Sequence, residues 1–484
     1  MRAHRFPLSL ALAATLASCG GGGGGSGGSA PIAVAPAPTP GVSPTPTPSP
    51  VGNGCSLRER QDWALGQLRE WYLFPDLLDT TVNPGSFSSL GAYVDALVAP
   101  ARAQSRDRFF THVASIAEEN AFFNSGASAG FGIRLTYDTV ANRVFVVEAF
   151  EGAPALAAGI DRGSEIIAVG TSVGNLQTVS SLMAASGSQG VVSALGPTTA
   201  GTTRVLRVLT NGTTSDLTVT KANFAITPVS SRYGARVIDD GGRKVGYLNL
   251  RTFIDTADPA LRAAFDGFRA QGVTQVIVDL RYNGGGLVSI AELMGDLLAA
   301  DRRNQVFSFT TFRPEKANNN ETELFGAQPQ AIASTRIAFI GTTGTASASE
   351  LVINAFKPYL GANAGLIGTN TFGKPVGQIA LDRAACDDRL RPVAFKTENA
   401  NREGDYFTGL ASKVAATCSA ADDYTRPLGD PAEASVKVAL DFLAGRSCTP
   451  ISGGGQGTLA AVGRRNLLTP DAPATSQREV PGAF

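Results

Sequence analysis

Histidine is nearly missing from this chain of 484 residues, in which only His4 and His112 occur. A zinc site with several imidazoles is therefore excluded, and a catalytic triad that uses histidine has one candidate base once a leader containing His4 is removed. The chain also carries no excess of positive or negative charge, because Lys plus Arg and Asp plus Glu both number 41. The sequence therefore gives no electrostatic reason to bind nucleic acid or an anionic membrane surface.

The chain also lacks a long apolar run at its start. Residues 6–17 are mostly apolar but are fewer than the about 20 residues that a membrane-spanning helix needs. They follow two arginines and lead into Leu-Ala-Ser-Cys, which resembles the lipobox of bacterial lipoproteins. We therefore expect a signal peptide over residues 1–18 and lipidation of Cys19. An ordinary signal peptide with a chance cysteine is the alternative.

Residues 19–53 have low sequence complexity, with glycine first and then mainly proline, threonine and serine. Such a run cannot bury a core and is typical of a flexible, partly polyproline tether. Anchor and tether together predict a protein held in the bacterial cell envelope. Gly20 replaces the aspartate that commonly retains lipoproteins at the inner membrane, which favours the outer membrane.

Four cysteines follow Cys19, and an even number is expected to pair in an oxidising compartment. Three pairings are possible, and free buried thiols are the alternative. We favour Cys386–Cys418 together with Cys55–Cys448, because the second bond would tie the start of the folded region to its end.

Residues 54–127 are expected to form a small helical domain. Ser56 and Glu59 have the spacing of a helix capping box, and apolar residues continue one face of the predicted helix. His112 lies later in this region among apolar neighbours. We expect a packed or surface histidine rather than a catalytic one.

From residue 130 the pattern changes to short strands. A glycine-flanked loop, two strands, a short helix and another strand follow in an order that resembles a PDZ domain over residues 128–226, although Ser164 stands where that family usually has aspartate. A PDZ domain adds a peptide as an extra strand and holds its carboxylate on loop N–H groups. A β-barrel insertion without a ligand is the alternative. The peptide-binding loop would consist of Gly130, Phe131, Gly132 and Ile133.

Strands alternate with helices over residues 227–448, a pattern typical of an α/β layer that binds ligands at the carboxyl ends of its strands. Asp258 is the expected N-cap of one helix. Residues 449–484 are rich in glycine, proline and serine, so we expect a disordered tail. The predicted fold class is therefore a multidomain α/β protein with an N-terminal helical cap and a PDZ-like, β-rich domain.

Ser347 is a candidate nucleophile, since it lies among small residues where an apolar strand turns into a helix. Unpaired N–H groups at a helix start can hold an oxyanion, and Ala348 would supply one of them. Gly285 or Gly286 could supply the other, because a glycine backbone can approach closely. A simple helix cap is the alternative role for this serine.

Lys374 is the candidate base, because a serine hydroxyl needs a proton acceptor and histidine is scarce. Lysine can accept a proton only if its surroundings lower its pKa from about 10.4. Lys374 follows the short apolar strand of residues 365–368, and burial among strand ends would have that effect. A surface lysine is the alternative.

Three motifs follow one another behind the PDZ-like region. They are Asp-Leu-Arg-Tyr-Asn-Gly-Gly-Gly at residues 279–286, Ala-Ser-Ala-Ser-Glu at 346–350, and Thr-Phe-Gly-Lys at 371–374 with Gln378 four residues on. Together they resemble the C-terminal processing (tail-specific) peptidases, which are serine proteases with a Ser-Lys dyad and usually a PDZ domain. The resemblance covers about residues 56–448 and implies a ClpP/crotonase-like α/β protease domain.

The resemblance implies a role for each matching residue: Ser347 as nucleophile, Lys374 as general base and Gln378 as the residue that orients the lysine. It also implies an oxyanion hole made by Ala348 with Gly285 or Gly286, and no metal or other cofactor. Pro375 stands where many members have glycine, and Gly284 where many have proline, which indicates a divergent lipoprotein branch. A family branch with a His–Ser–Ser–Glu tetrad would have only His112 to offer.

The resulting hypothesis is an envelope-anchored serine endopeptidase that captures polypeptides by their exposed, apolar C-terminal tails. Two rivals remain open. One is a non-catalytic adaptor that binds tails without cutting them, and the other is a serine esterase or amidase that acts on small substrates through the same dyad.

Overall fold

The computed structural model describes residues 54–452 and 465–484. The predicted signal peptide, the lipidation site Cys19 and the tether up to residue 53 lie outside the described residues. Within the described ranges, no helix has both the length and the apolar character needed to cross a membrane.

Helices dominate the first described region. The predicted capping box is present, because the Ser56 hydroxyl accepts the Glu59 N–H and the Glu59 carboxylate accepts the Ser56 N–H. Buried Leu68 and Val94 belong to the same apolar cluster as Leu390, so this region packs against strands much later in the chain. Its elements are α1 (Leu57–Trp71), α2 (Leu90–Leu97), α3 (Ala99–Ala103), β1 (His112–Ser115) and α4 (Ile116–Ser125).

A strand-rich region (residues 127–225) follows. Its elements are β2 (Ala127–Gly130), β3 (Ile133–Asp138), β4 (Arg143–Ala149), α5 (Pro154–Ala157), β5 (Glu165–Gly170), β6 (Gln177–Thr178), α6 (Val179–Leu195), β7 (Thr203–Thr210), β8 (Thr213–Thr220) and β9 (Ala222–Ala225). Antiparallel pairing joins β3 to β4, β4 to β5, β5 to β7 and β7 to β8. Helix α6 packs on this sheet through Met183, Val191 and Leu195.

The α/β region (residues 235–443) alternates strands and helices as predicted. Its strands are β10 (Ala235–Asp240), β11 (Arg243–Asn249), β12 (Gln275–Asp279), β13 (Val306–Phe312), β14 (Glu321–Leu324), β15 (Arg336–Gly341), β16 (Ala364–Gly368), β17 (Val376–Gln378), β18 (Leu381–Arg383), β19 (Asp388–Arg391), β20 (Val393–Glu398) and β21 (Ala416–Ser419). Its helices are α7 (Ala257–Ala270), α8 (Val288–Leu298), α9 (Ala348–Leu360) and α10 (Ala434–Leu443). Asp258 is not the N-cap of α7, because Thr256 takes that position and Asp258 pairs with Arg262 in the first turn.

Six strands of this region form one sheet in the order β10-β11-β12-β15-β16-β21, in which only β10 runs antiparallel to its neighbour. Alternate side chains of β15 face opposite sides. Ile337 and Phe339 pack with helices α7 to α9, whereas Ala338 and Ile340 pack with α10. Because parallel strands end at the same edge, the loops after β12, β15 and β16 meet there.

A buried ion cluster joins the strand-rich region to the α/β region. The Glu148 carboxylate on β4 accepts from Arg134 Nε at 3.0 Å and from Arg251 Nε at 2.6 Å. Arg251 also pairs with Glu151 at 2.6 Å. Arg134, Glu148 and Arg251 are all buried, so each charge depends on its partner for stabilisation.

The favoured disulfide pairing is wrong. The bonds are Cys55–Cys386 and Cys418–Cys448, each with Cα atoms 5.5 Å apart, instead of Cys386–Cys418 and Cys55–Cys448. Arg383 donates hydrogen bonds to backbone carbonyls at the start of the first helix, which holds the turn containing Cys386 beside Cys55. After α10 the chain returns alongside β21, which brings Cys448 to Cys418.

The expectation of a disordered tail over residues 449–484 is also wrong for its described parts. Residues 465–484, called the end segment below, contain β22 (Arg465–Leu467) and α11 (Thr475–Glu479). Strand β22 adds to the free edge of β3. Leu468, Val480 and Phe484 are buried in apolar clusters with other parts of the chain, which explains why this segment folds despite its composition.

Candidate active site

Ser347 stands immediately before α9, at the carboxyl edge of the six-stranded sheet. Its φ of 56° is unusual for a residue with a side chain, and such conformations persist only where the surroundings hold them. Its side chain is half-buried rather than enclosed. The next residue, Ala348, is the first of the helix, so its N–H has no acceptor within that helix.

The glycine turn after β12 lies directly against Ser347. A Cβ atom on Gly285 would stand 2.8 Å from Ser347 Cβ and 3.2 Å from Ala348 N, so only glycine fits without displacement. The Gly285 N–H donates to Asn283 Oδ1 at 2.9 Å, whereas the Gly284 N–H donates to the Glu479 carbonyl at 3.1 Å. Gly286, the other predicted oxyanion donor, continues the turn and packs against Phe253.

Lys374 and Gln378 are in direct contact. Lys374 Nζ donates to Gln378 Oε1 at 2.7 Å, and Gln378 Nε2 donates to the Phe110 carbonyl at 2.5 Å. The glutamine is thereby fixed at both ends and points its acceptor at the amine. Among the described residues no hydrogen bond joins the Ser347 hydroxyl to the Lys374 amine.

Glu350 connects the two candidate catalytic residues, and the sequence reasoning did not assign it a role. Its Oε2 accepts the N–H groups of Ser347 at 3.1 Å and Lys374 at 2.7 Å. Its Oε1 accepts the Thr371 hydroxyl at 2.6 Å and the Gly373 N–H at 2.7 Å. The spacing of three residues from Ser347, which is that of a capping box, was the available signal.

Burial shifts the pKa values of the Glu350 carboxyl group and the Lys374 amine. It raises the pKa of Glu350 to about 6, although four hydrogen bonds act in the opposite direction. It lowers the pKa of Lys374 below its usual value, and the carboxylates of Glu479 and Asp107 partly offset this. A lowered pKa is the condition for a lysine to act as a base.

His112 lies at the edge of this site on β1. Its Nδ1 is 2.8 Å from the Phe110 carbonyl and 3.4 Å from Gln378 Nε2. Desolvation lowers the pKa of His112 well below its usual value. The ring therefore packs beside the glutamine as a neutral group.

A cleft of about 380 Å³ opens beside Lys374. Phe110 and Phe372 line one side of it, and Arg478 and Glu479 of the end segment line another. Its walls are predominantly apolar, which suits a peptide. Among residues 54–452 and 465–484, no cluster of histidine, cysteine, aspartate and glutamate could hold a metal ion.

The predicted peptide-binding loop is in contact with the end segment. The N–H groups of Gly132 and Ile133 donate to the Phe484 carbonyl at 2.8 and 3.2 Å. A Cβ atom on Gly130 would stand 2.7 Å from the Phe484 carbonyl carbon, and Phe131 is buried beneath the loop. The four loop residues are thus together, with backbone donors directed at one acceptor.

Residues 244–388 match the peptidase family S41. They contain the glycine turn, Ser347, Glu350, Lys374 and Gln378. The S41 match thus falls within the α/β region and on the part of it that carries the candidate site. This match agrees with the three motifs that resemble the C-terminal processing peptidases.

Relatives of this chain are named as proteases. The chloroplastic C-terminal processing peptidase of Tetradesmus obliquus is 31% identical over 275 residues, which are 53% of this chain and 54% of the relative. The carboxy-terminal processing protease CtpA of Bacillus subtilis is 26% identical over 267 residues, which are 55% of this chain and 52% of the relative. The chain thus spans about half the length of each of these relatives.

A solved structure from Bacteroides fragilis, of a protein assigned to the S41 proteases, has the same fold. The likeness has a TM-score of 0.60 and 25% sequence identity, and it covers 79% of this chain and 97% of that one. The mixed α/β, multidomain fold expected from the sequence is therefore confirmed.

Proposed function

We propose that this protein is a serine endopeptidase that cleaves polypeptides through Ser347 and Lys374. The observation that carries this proposal is the shared carboxylate: Glu350 Oε2 accepts the backbone N–H groups of both residues. It fixes the loop of the nucleophile against the loop of the base. The S41 match and the protease relatives support the same activity.

The reaction would proceed through an acyl-enzyme. Ser347 Oγ attacks the peptide carbonyl carbon while the neutral Lys374 amine takes the hydroxyl proton. The C–N bond then breaks, and the Lys374 ammonium returns the proton to the leaving amine. Water adds to the ester and gives a proton to Lys374, and Ser347 leaves with its hydroxyl restored.

The developing oxyanion would be held by backbone N–H groups. Ala348 would be one donor, because its N–H has no helical acceptor, and Gly285 or Gly286 of the adjacent glycine turn would be the other. Gln378 acts on Lys374 as a positioning residue, since its side-chain oxygen accepts from the amine.

We also propose that the strand-rich region selects substrates as a PDZ domain, by their C-terminal tails, and that the protein is a lipoprotein of the cell envelope. The loop at residues 130–133 presents its N–H groups to a carbonyl at the edge of β3, which suits a peptide added as a strand. Two disulfides favour an oxidising compartment. Labelling with radioactive palmitate in wild type and Cys19→Ser cells tests the anchor, and equal labelling would refute it.

Cleavage of an unfolded protein with an apolar C-terminus tests the proposed activity. We expect Ser347→Ala and Lys374→Ala to lose cleavage while keeping the wild-type circular dichroism. Ser412→Ala and Lys413→Ala are matched controls, because these neighbours are exposed, and both should retain activity.

The rivals give different outcomes in the same experiment. Tail binding without cleavage by any variant would favour the adaptor. Cleavage of small esters but of no polypeptide would favour an esterase or amidase. Full activity of Lys374→Ala would show that Lys374 is not the base.

A further inference from the structure

We propose that the end segment (residues 465–484) is a built-in ligand of the loop at residues 130–133 and, in this position, blocks the cleft that is lined by Lys374 and by Ala346, the neighbour of Ser347. This inference rests on the proposed function, because it assigns a regulator to that same site. Three independent sets of contacts carry it.

The last residues of the segment bind as an added strand. The Leu135 N–H donates to the Gly482 carbonyl at 2.8 Å, and the Phe484 N–H donates to the Ile133 carbonyl at 2.8 Å. Ala483 pairs antiparallel with Arg134 between them. The Phe484 carbonyl then receives the loop N–H groups, so the segment binds this edge as an extended peptide would.

Apolar side chains anchor the segment along its length. Phe484 is 4% exposed and belongs to the buried cluster that contains Phe131 and Ile133. Val480 is fully buried in a second cluster, and Leu468 is fully buried in the first. Burial of three apolar anchors stabilises one position of the segment rather than many.

Between these anchors the chain crosses the cleft. The Glu479 carbonyl accepts the Gly284 N–H, directly beside the glycine that contacts Ser347. Leu467 packs on Gly344, which lies in the loop between β15 and α9. Arg478 and Glu479 line the cleft that holds Lys374. A polypeptide substrate that reached Ser347 through this cleft would need the space that the segment occupies.

The segment and a substrate tail therefore compete for both the loop and the cleft. A tail with small residues followed by an aromatic one reproduces the sequence Val-Pro-Gly-Ala-Phe of residues 480–484. Polypeptides with such ends are the substrate class that can displace it. The apparent affinity for a substrate tail is reduced by the fraction of molecules in which the segment is bound.

A binding experiment on the full chain tests the competition without catalysis. The probe is a fluorescein-labelled peptide Arg-Glu-Val-Pro-Gly-Ala-Phe with a free carboxylate, and the background is Ser347→Ala. We expect Phe484→Asp, which weakens docking of the segment, to bind the probe about tenfold more tightly or better. Ala472→Asp is the matched control, because it adds the same charge at an exposed position of the segment, and its affinity should not change.

The Phe484→Asp and Ala472→Asp substitutions are then made in the protein that retains Ser347, and cleavage of a polypeptide is measured. This assay separates the inference from the proposed function. Faster cleavage by Phe484→Asp than by wild type supports the block, and equal affinity and equal rates would overturn it. Tighter probe binding without cleavage by any variant would instead overturn the peptidase proposal and leave the docking intact.

A second measurement needs no substitution and guards against misfolding of Phe484→Asp. Hydrogen exchange of residues 480–484 in the Ser347→Ala chain should speed up when saturating probe is added. Probe binding without a change in exchange would show that the probe occupies another site, and the inference would fail.

Discussion

Replacing Glu350 by glutamine tests the shared carboxylate most directly. The side chain is fully buried and accepts four hydrogen bonds, two through each oxygen. Glutamine has the same shape but only one acceptor oxygen. Its NH₂ group should face Thr371, because that hydroxyl can rotate and accept. Its oxygen would then keep the N–H groups of Ser347 and Lys374, and only the Gly373 N–H would lose its acceptor.

The expected change in stability follows from two opposing effects. Burial raises the Glu350 pKa from 4.5 to about 6, which corresponds to about 2 kcal/mol against the ionised carboxylate in the folded state. Glutamine removes this cost. The unpaired Gly373 N–H costs about 1–3 kcal/mol. At pH 7 we therefore expect the free energy of unfolding of Glu350→Gln to be within about 1 kcal/mol of wild type.

The pH dependence has a definite sign. Because the folded pKa lies above the unfolded value, the contribution of Glu350 to stability is fully present below pH 4.5 and is lost as the pH rises through about 6. Glutamine does not titrate. The variant should therefore gain about 2 kcal/mol relative to wild type between pH 4 and pH 7.

Urea unfolding at the two pH values measures this difference, and groups that titrate in both proteins cancel. Glu118→Gln is the control, since Glu118 is exposed, and it should show little change. The reasoning is refuted if the stability difference between Glu350→Gln and wild type is the same at pH 4 and pH 7.

Three further predictions concern the site and its crosslinks. The kcat/KM should rise with pH through a midpoint below the usual lysine pKa, since burial lowers the pKa of Lys374 and only the neutral amine accepts a proton; a flat profile would exclude Lys374 as base. Gly285→Ala should lower kcat on the order of 100-fold by displacing Ser347, whereas Gly267→Ala, which has open space around it, should not; equal activities would contradict the contact. Peptide mapping without reduction should give the linked pairs Cys55–Cys386 and Cys418–Cys448. Any other linkage would contradict the structure.

The alternation of strands and helices was predictable from the sequence. So was the meeting of the loops after β12, β15 and β16 at one edge of the sheet. Those predictions depend on local periodicity and on the rule that parallel strands end together. The rule also explains why the loops that carry Ser347 and Lys374 lie close enough to share the Glu350 carboxylate. The role of Glu350 was not predicted, because three of its four hydrogen-bond donors come from another loop that local spacing does not reveal.

The disulfides and the end segment could not be predicted in the same way. Cysteine pairing depends on which distant segments the fold brings together, and spacing along the chain does not contain that information. The end segment has few apolar residues, and its three anchors lie in two clusters formed with distant parts of the chain. A composition rich in glycine and proline therefore predicted disorder where long-range contacts impose order.

The buried charges between the strand-rich and α/β regions limit how the protein could admit a polypeptide to the proposed site. A hinge motion that swung the strand-rich region away would separate the Glu148 carboxylate from the Arg251 guanidinium, which are 2.6 Å apart. The same guanidinium–carboxylate contacts resist shear between the two bodies. Release of the end segment alone would leave these buried ion pairs intact. The two regions could then keep their arrangement while the access of a polypeptide to the cleft changes.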